Sequence, residues 1–289
     1  MILTNILAGR FPGGVFPVNA KGGTLFGLPA YRTVREVPEP VDLAILTTPA
    51  NRVPQVVEDC ARKGLKGLVV VTSGFGETGA EGRSLERQMV SRCRESGMVL
   101  VGPNTMGIAN FKEGLHGMFS HVRLKKGGIS LMAQSGNVGN QIMYWAEQQS
   151  IGMSKFVGSG NEGVLRKDHY LEYLAGDPDT KVILVYLEGI ADGQRFLEVA
   201  DNRERQLPCR FFVHAAHLLR RSQRSSGRPS PAPRSTVIAE WAWQLTRPGR
   251  SRPSRRWMVA SDPSAGASAS GPAAVTHPPA TSTKPGPNS

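Results

Sequence analysis

Short apolar runs alternate with amphipathic helical patterns over the first 200 residues of the chain. Strands that are apolar throughout are typical of parallel sheets covered by helices on both faces. Because parallel strands need crossover connections, this alternation predicts a doubly wound α/β fold. The predicted strands cover residues 15–19, 42–49, 67–73, 98–103, 128–134, 156–160 and 182–188.

The helical patterns between these strands each have one apolar face, which suits a helix lying on a sheet. Two such sheets fit the sequence, with a boundary near residues 120–126. The three cysteines give neither a disulfide framework nor a metal-ligand spacing, and Cys60 and Cys93 are predicted to be buried. The apolar positions are Val53, Val56, Val57, Cys60 and Ala61; Leu85, Met89 and Cys93; and Val138, Ile142, Trp145 and Ala146.

The last third of the chain has a different composition. Residues 1–200 carry 21 Lys and Arg against 19 Asp and Glu, whereas residues 201–289 carry 14 against 4, so most of the net charge of +12 lies in the tail. Of the 21 prolines, 12 follow residue 205, which predicts disorder over 206–289. Two interpretations remain open: an Arg-rich nucleic-acid arm, or a segment without selected function, such as the product of another reading frame. The abrupt change favours the second, so nucleic acid is not an expected partner.

The glycines of Gly74-x-Gly76-x-x-Gly79 have the spacing of a dinucleotide-binding fingerprint. A true fingerprint joins the first strand of its unit to the first helix, and the next strand ends in an acidic residue. Here the motif follows at least the third predicted strand, and the next strand ends in Pro103 and Asn104. We therefore interpret the glycines as a turn and expect no NAD or FAD site.

Open parallel sheets bind ligands at the carboxyl ends of their strands, where helix N-termini and free N–H groups gather. Ser135 precedes a predicted helix there, and its unpaired N–H groups suit a phosphoryl group; an ordinary N-cap is the compatible alternative. Glu188 ends an apolar strand, where a charge is costly unless it is paired or faces solvent. The strand ends read TTPAN (47–51), TSGFGETG (72–79), GPNTMG (102–107), AQSGNVG (133–139) and GSGNEG (158–163).

Several long segments, in order over roughly residues 1–202, resemble the NDP-forming acyl-CoA synthetases, the family of ADP-forming acetate-CoA ligase and the succinyl-CoA synthetase alpha subunit. The resemblance implies a Rossmann-like CoA-binding domain over 1–122, with its first strand missing, and a partial flavodoxin-like ligase domain over 123–205. The segments are GVFPVNAKGG, VDLAILTTPANRVPQVVEDCARKGLKGLVVVTSGFGETG, LVGPNTMGIAN, GGISLMAQSGNVGNQIMYWA, GSGNEG and DPDTKVILVYLEGIADGQRFLEVA.

The resemblance also implies roles for particular residues. Lys21 matches a lysine that pairs with a CoA phosphate, although a surface lysine is the alternative. Thr48, Pro49 and Ala50 match a flat segment that CoA approaches, and Asn104 and Thr105 lie in a turn whose amide could hold the thioester region or cap the turn. Ser135, Gly136 and Asn137 match the phosphate-binding segment, and Glu188 matches the glutamate that steadies the phosphate-accepting imidazole.

The phosphate-accepting histidine should follow the strand after Glu188. His214 and His217 fall at about the right distance but lack the flanking glycines of the family motif. The expected cofactors are coenzyme A, together with ATP or ADP and Mg held by an ATP-grasp domain absent from this chain. The expected partners are a small carboxylic acid or acyl phosphate and an ATP-grasp, beta-type subunit.

The leading interpretation is therefore an acid-thiol ligase module in the cytoplasm, truncated at both ends and incomplete as a catalyst. The alternative is a non-catalytic CoA-sensing or scaffold module, like the front part of some protein lysine acetyltransferases. An opening without a basic region and the lack of a long apolar stretch predict no membrane partner.

Overall fold

The computed structural model describes residues 1–189, 194–196, 198–199, 210–215 and 259–260. The helices are α1 (Ile2–Gly9), α2 (Val53–Lys63), α3 (Ala80–Glu95), α4 (Gly136–Gln148) and α5 (Lys167–Gly176). The strands are β1 (Gly23–Leu25), β2 (Leu28–Ala30), β3 (Leu43–Leu46), β4 (Gly67–Val70), β5 (Val99–Val101), β6 (Gly107–Asn110), β7 (Leu115–Met118), β8 (Lys126–Ala133), β9 (Met153–Gly158), β10 (Val182–Leu187), β11 (Arg210–Ala215) and β12 (Val259–Ala260). Among the described helices, none is both long and apolar enough to cross a membrane.

The first sheet consists of β3, β4 and β5 in that order, all parallel. Every residue of β4 is buried, as expected for a central strand. Val57 of α2 and Met89 of α3 belong to the same apolar cluster as Leu68 of β4. The apolar positions that recur with helical spacing in the sequence therefore form the face that each helix packs against this sheet.

Helix α2 ends where the sequence provides a stop signal. Gly64 adopts the left-handed conformation, with φ of 83°, and its N–H donates to carbonyl groups of the last turn. Glycine adopts this conformation without a steric penalty, which makes it a common residue after the last helical turn. The stop allows the chain to turn back at once into β4.

The second sheet has the strand order β12, β11, β10, β8, β9, β6, β7. Strands β10, β8 and β9 are parallel, whereas β6 runs antiparallel to β9. Leu131 of β8 lies in one apolar cluster with Met143 of α4, and its neighbour Met132 lies in another with Leu171 of α5. Successive side chains of a strand point to opposite faces, so α4 and α5 cover opposite faces of this sheet.

The predicted parallel strands are confirmed with one exception, residues 15–19, and the structure adds two antiparallel hairpins. Residues 15–19 form a single bridge, Val18 to Tyr31, rather than a strand, because Pro17 has no N–H to donate to a ladder. The hairpins β1–β2 and β6–β7 were not predicted. Strands β6 and β7 precede the predicted boundary at 122 and 123, yet they are hydrogen-bonded to the second sheet.

The predicted tail contains two short strands. Strand β11 pairs in parallel with β10 over its full length, and β12 pairs with β11. Residues 210–215 of the tail therefore form the strand next to β10 in the second sheet. The rest of the tail, including Cys209 and His217, lies outside the described residues.

The two cysteines predicted to be buried are buried. Cys60 and Cys93 are both 0% exposed and belong to the core of the first sheet. Burial raises the pKa of Cys60 to about 12 and that of Cys93 to about 11. Both thiols are therefore protonated near neutral pH and serve as small apolar side chains.

Candidate functional site

The carboxyl ends of the first sheet are hydrogen-bonded side by side. The Thr72 hydroxyl donates to the carbonyl oxygen of Thr48 at 2.7 Å. The backbone N–H of Asn104 donates to the carbonyl oxygen of Thr72 at 2.9 Å. The loops that follow β3, β4 and β5 therefore form one continuous rim.

The carboxyl ends of the second sheet are joined in the same way, through Gln134. Its backbone N–H donates to the carbonyl oxygen of Tyr186 at 3.0 Å. Its side-chain oxygen accepts from the backbone N–H groups of Glu188, at 3.0 Å, and Gly189, at 3.3 Å. The N–H of Ser159 donates to the carbonyl oxygen of Ala133, so the ends of β8, β9 and β10 are held together.

Asn161 connects the two rims. Its side-chain amide donates to Glu77 Oε2 at 2.6 Å and to Glu86 Oε2 at 3.0 Å. Its backbone N–H donates to the carbonyl oxygen of Pro103 at 2.9 Å, and its Oδ1 accepts from the Asn104 side chain at 3.4 Å. The predicted loops at 47–51, 102–105 and 133–137 therefore belong to one edge of the molecule.

The N-terminus of α4 lies on this edge with free donors. Ser135 is the N-cap residue, with extended backbone, but its hydroxyl makes no capping hydrogen bond. The N–H of Gly139 donates to the Ser135 carbonyl oxygen, whereas the N–H groups of residues 136–138 have no acceptor within the described part of the chain. Three free N–H groups at the positive end of a helix dipole favour an anion.

The glycine-rich loop after β4 has its N–H groups occupied. Those of Gly74 and Phe75 donate to Glu77 Oε1 at 2.7 and 3.2 Å, and that of Gly76 donates to Glu86 Oε2 at 2.9 Å. Burial alone would raise the pKa of Glu77, but hydrogen bonds from Asn161 and from the loop lower it below its usual value. Two carboxylates thus take the donors that a pyrophosphate would need, which is a physical argument against a dinucleotide site here.

An ion pair lies behind the second rim. Lys167 Nζ is 3.0 Å from Glu162 Oε2, and the two side chains are 9% and 11% exposed. Lys167 Nζ also donates to the carbonyl oxygen of Gly189 at 2.8 Å, and the Ser159 hydroxyl donates to Glu162 Oε1 at 3.0 Å. This pair holds the loop after β9 against the loop after β10.

Two family models match the chain. A CoA-binding domain matches residues 1–110, and a succinyl-CoA ligase-like flavodoxin domain matches residues 126–213. An ADP-forming acetate-CoA ligase from Archaeoglobus fulgidus is 42% identical over 199 residues, which cover 69% of this chain and 29% of that protein. The alpha subunit of an ADP-forming acetate-CoA ligase from Pyrococcus furiosus is 42% identical over 196 residues, 68% of this chain and 43% of that subunit. By these two domains the chain belongs to the NDP-forming acyl-CoA synthetases.

The fold agrees with a solved structure of the family. The dinucleotide-forming acetyl-coenzyme A synthetase 1 of Candidatus Korarchaeum cryptofilum matches with a TM-score of 0.70 and 36% identity, over 74% of this chain and 46% of that one. The chain thus spans less than half the length of each of these relatives. The Rossmann-like and flavodoxin-like α/β classes expected from the sequence are confirmed.

In this chain, the residues predicted to contact CoA lie along the first rim and in the turn before β1. Lys21 is exposed, and its backbone N–H donates to Asn19 Oδ1 at 2.9 Å. Pro49 is exposed and precedes the short 3-10 helix Ala50–Arg52, which leads into α2. Thr48 Oγ1 is a buried atom that lacks a hydrogen-bond partner among the described residues.

Asn104 and Thr105 have different surroundings. Asn104 is exposed with left-handed backbone, φ of 57°, after the cis peptide bond between Gly102 and Pro103. Thr105 is 4% exposed; its hydroxyl donates to the carbonyl oxygen of Gly158 at 2.5 Å and accepts from the N–H of Gly107 at 3.0 Å. The structure therefore gives the Thr105 side chain a role in holding the start of β6 against the end of β9 rather than in facing a ligand.

Glu188 does not lie in the apolar surroundings that its strand suggested. Strand β10 ends at Leu187, and Glu188 is exposed just beyond it. Water solvates the carboxylate there, which corresponds to the solvent-facing alternative left open by the sequence. Its place is set by its backbone N–H, which Gln134 accepts. Of the two candidate histidines, His214 lies in β11 and His217 lies outside the described residues.

Sequence reasoning did not single out Gln134, Asn161, Glu162 or Lys167 in this family member. The first three lie within segments quoted for the resemblance, and their position at strand ends was the available signal. Lys167 gave no signal, because a lysine in the first turn of a helix reads as a surface residue. Its burial follows from packing of the loop at 188–189 above it.

Proposed function

We propose that this chain is the CoA- and acyl-phosphate-binding module of an NDP-forming acyl-CoA synthetase, which forms or cleaves an acyl-CoA thioester with a nucleotide diphosphate and triphosphate couple. The observation that carries this proposal is the single edge formed by two rims, on which the N-terminus of α4, at Gly136, lies against Met106 in the segment after β5. An anion held at α4 and a thiol carrier held by the first rim would face each other across Asn104.

The donor set on the edge fits the two groups. The N–H groups of Gly136 and Asn137 and the uncapped Ser135 hydroxyl can donate to phosphoryl oxygens. Thr48, Pro49 and Ala50 present short side chains over which a flat or extended group can lie close to the backbone. Lys21 is exposed and supplies a positive charge for a CoA phosphate.

The exposed turn at Asn104 is the proposed contact for the thioester region. Among the described residues its side-chain amide makes one hydrogen bond, to Asn161, which leaves its carbonyl oxygen and a second N–H for a ligand. The phosphate-loaded imidazole that Glu188 supports in the family is not assigned to a residue of this chain. We propose that the nucleotide step uses ATP or ADP with Mg in an ATP-grasp, beta-type partner.

The names of the relatives support this function. The A. fulgidus and P. furiosus proteins are ADP-forming acetate-CoA ligases, and one structure of the K. cryptofilum enzyme is a complex with phosphate and ADP. A carboxylic acid small enough to lie between α4 and the first rim is the corresponding acyl substrate class.

Isothermal calorimetry with CoA and, separately, with inorganic phosphate and acetyl phosphate tests the proposal. We expect saturable binding of each by the full chain and mutual enhancement when CoA and acetyl phosphate are added together. Replacing Ser135 with Ala, which removes the hydroxyl donor and keeps the backbone N–H groups of α4, should weaken phosphate binding more than CoA binding. The absence of binding by both ligands would refute the proposal, and CoA binding without any anion binding would favour a non-catalytic CoA-sensing module.

A further inference from the structure

We infer that Asn161 is a positioning residue that fixes the CoA-facing turn at Asn104 relative to the anion-binding helix α4. The inference rests on the proposed function for what the two rims bind, but the joint itself is a feature of the fold. Asn161 belongs to the loop after β9 in the second sheet, whereas each of its side-chain partners belongs to the first domain match, residues 1–110.

The loop that carries Asn161 runs along the end of the first sheet. The N–H groups of Asn161, Gly163 and Leu165 donate in turn to the carbonyl oxygens of Pro103, Gly102 and Leu100. A methyl group on Gly160 would lie 2.3 Å from the Pro103 carbonyl oxygen, so the two backbones approach as closely as glycine allows. These backbone bonds fix the loop to residues 100–103, and the Asn161 side chain is what extends the joint to Asn104.

The Asn161 side chain makes hydrogen bonds with three partners, two acceptors and one donor. Both of its amide hydrogens go to carboxylates, Glu77 Oε2 and Glu86 Oε2, and its carbonyl oxygen accepts from Asn104. The opposite orientation of the amide would place its oxygen against two carboxylates, so the network fixes the orientation. An aspartate lacks the donors, and a lysine lacks the acceptor.

The two carboxylates have a second function that makes the joint specific. Glu77 and Glu86 also accept the N–H groups of the glycine-rich loop at residues 74–76. Asn161 therefore ties three segments to one point: the glycine-rich loop, the Asn104 turn and the loop after β9. Release of that point would let Asn104 move relative to α4, whose own position is set by Gln134 and the second sheet.

Charge exchange across the joint is the decisive experiment. Asn161→Asp keeps the shape of the side chain and the oxygen that accepts from Asn104. It replaces the amide NH2, which donates to Glu77 and Glu86, with a carboxylate oxygen that repels both. Glu77→Gln in that background restores one hydrogen bond with reversed polarity, while its Oε1 still accepts from the glycine-rich loop. Asn110→Asp is the matched control, because within the described part of the chain the Asn110 side chain uses its oxygen alone, which accepts from the N–H of Glu113.

For the full chain, calorimetry should show that Asn161→Asp raises the Kd for CoA about tenfold, as expected from lost hydrogen bonds to charged groups. The Kd for inorganic phosphate should stay at the wild-type value. Glu77→Gln alone should also weaken CoA binding, and the double variant should recover to within about threefold of wild type. A purely structural role would lower CoA and phosphate affinity together, and that result, or a Kd for CoA equal to that of the Asn110→Asp control, would overturn the inference.

Hydrogen exchange separates this inference from the proposed function. If the wild-type chain binds no CoA, the proposed function fails, and the joint is judged by exchange of the backbone amides at 74–76 and 104. Faster exchange at those amides in Asn161→Asp, with recovery in the double variant, supports the joint. Unchanged exchange overturns it.

Discussion

Removal of the Lys167 charge tests whether the second rim is held by its ion pair. Lys167→Met keeps the length and apolar stem of the side chain but leaves the Glu162 carboxylate, 11% exposed, with the Ser159 hydroxyl as its remaining side-chain partner. It also removes the donor to the carbonyl oxygen of Gly189. A buried charge without its partner is far less stable than the intact pair.

The size of the effect follows from burial. Removing one member of a buried ion pair costs about 3–5 kcal/mol. With a urea m-value of about 3 kcal/mol per M, the midpoint of unfolding should fall by about 1–1.7 M. The double variant Glu162→Gln with Lys167→Met should recover much of that loss, because no uncompensated charge remains buried.

Urea unfolding followed by tryptophan fluorescence and circular dichroism measures these midpoints. Lys112→Met is the control, since Lys112 pairs with Asp179 at 2.9 Å but its side chain is 54% exposed. Its midpoint should match that of the wild type within experimental scatter. Equal midpoints for Lys167→Met and Lys112→Met would refute the argument that burial makes the Lys167 pair important.

Three further predictions concern the same sheet. Asn137→Asp should stabilise α4 by about 0.3–1 kcal/mol, since an acidic residue suits a helix N-terminus. It should also raise the Kd for inorganic phosphate more than about tenfold, because the new carboxylate repels the anion. A lower melting temperature, or an unchanged Kd for phosphate in calorimetry, would contradict this. Gly139→Ala would place a methyl group 2.9 Å from Ala133 Cβ and 3.1 Å from the Phe156 ring, and it should cost about 1–3 kcal/mol in urea unfolding. Burial raises the pKa of Asp177, but hydrogen bonds from Lys155 and Thr180 lower it more, so its net pKa is below its usual value of about 3.9. A carboxyl group with a lowered folded-state pKa stabilises the fold at pH values above its unfolded-state pKa. That stabilisation is lost as the pH falls through the folded-state pKa. The wild-type midpoint should therefore drop below about pH 4, and Asp177→Asn should show a smaller drop, which midpoints measured from pH 7 to pH 3 would check.

The parallel core could be predicted from the sequence because each of its strands is a continuous apolar run. The apolar runs that became β4, β8 and β10 pack against helices whose apolar faces recur with helical spacing, so pattern and packing agree. The hairpin β6–β7 lacked such a pattern, because its residues GIAN and LHGM are short and rich in glycine. Its order comes from pairing with β9, a contact that no local pattern encodes.

The candidate site was predictable as a set of loops but not as a set of contacts. The rule that strand ends gather ligands located the segments of Thr48, Asn104 and Ser135. It could not show that the Thr105 hydroxyl is used between two backbones or that Glu188 faces water. These features depend on contacts between distant parts of the chain. Thr105 and Gly158, for example, are more than fifty residues apart in sequence.

The pairing of β6 with β9 determines how this protein can be divided in the laboratory. A fragment that stops at residue 110 would carry away a strand whose hydrogen-bonding partner stays behind, and a fragment that starts at residue 126 would expose the edge of β9 to solvent. Unpaired strand edges form backbone hydrogen bonds with other chains and promote aggregation. Expressing either half alone should therefore yield aggregates, and co-expression of the halves should rescue solubility.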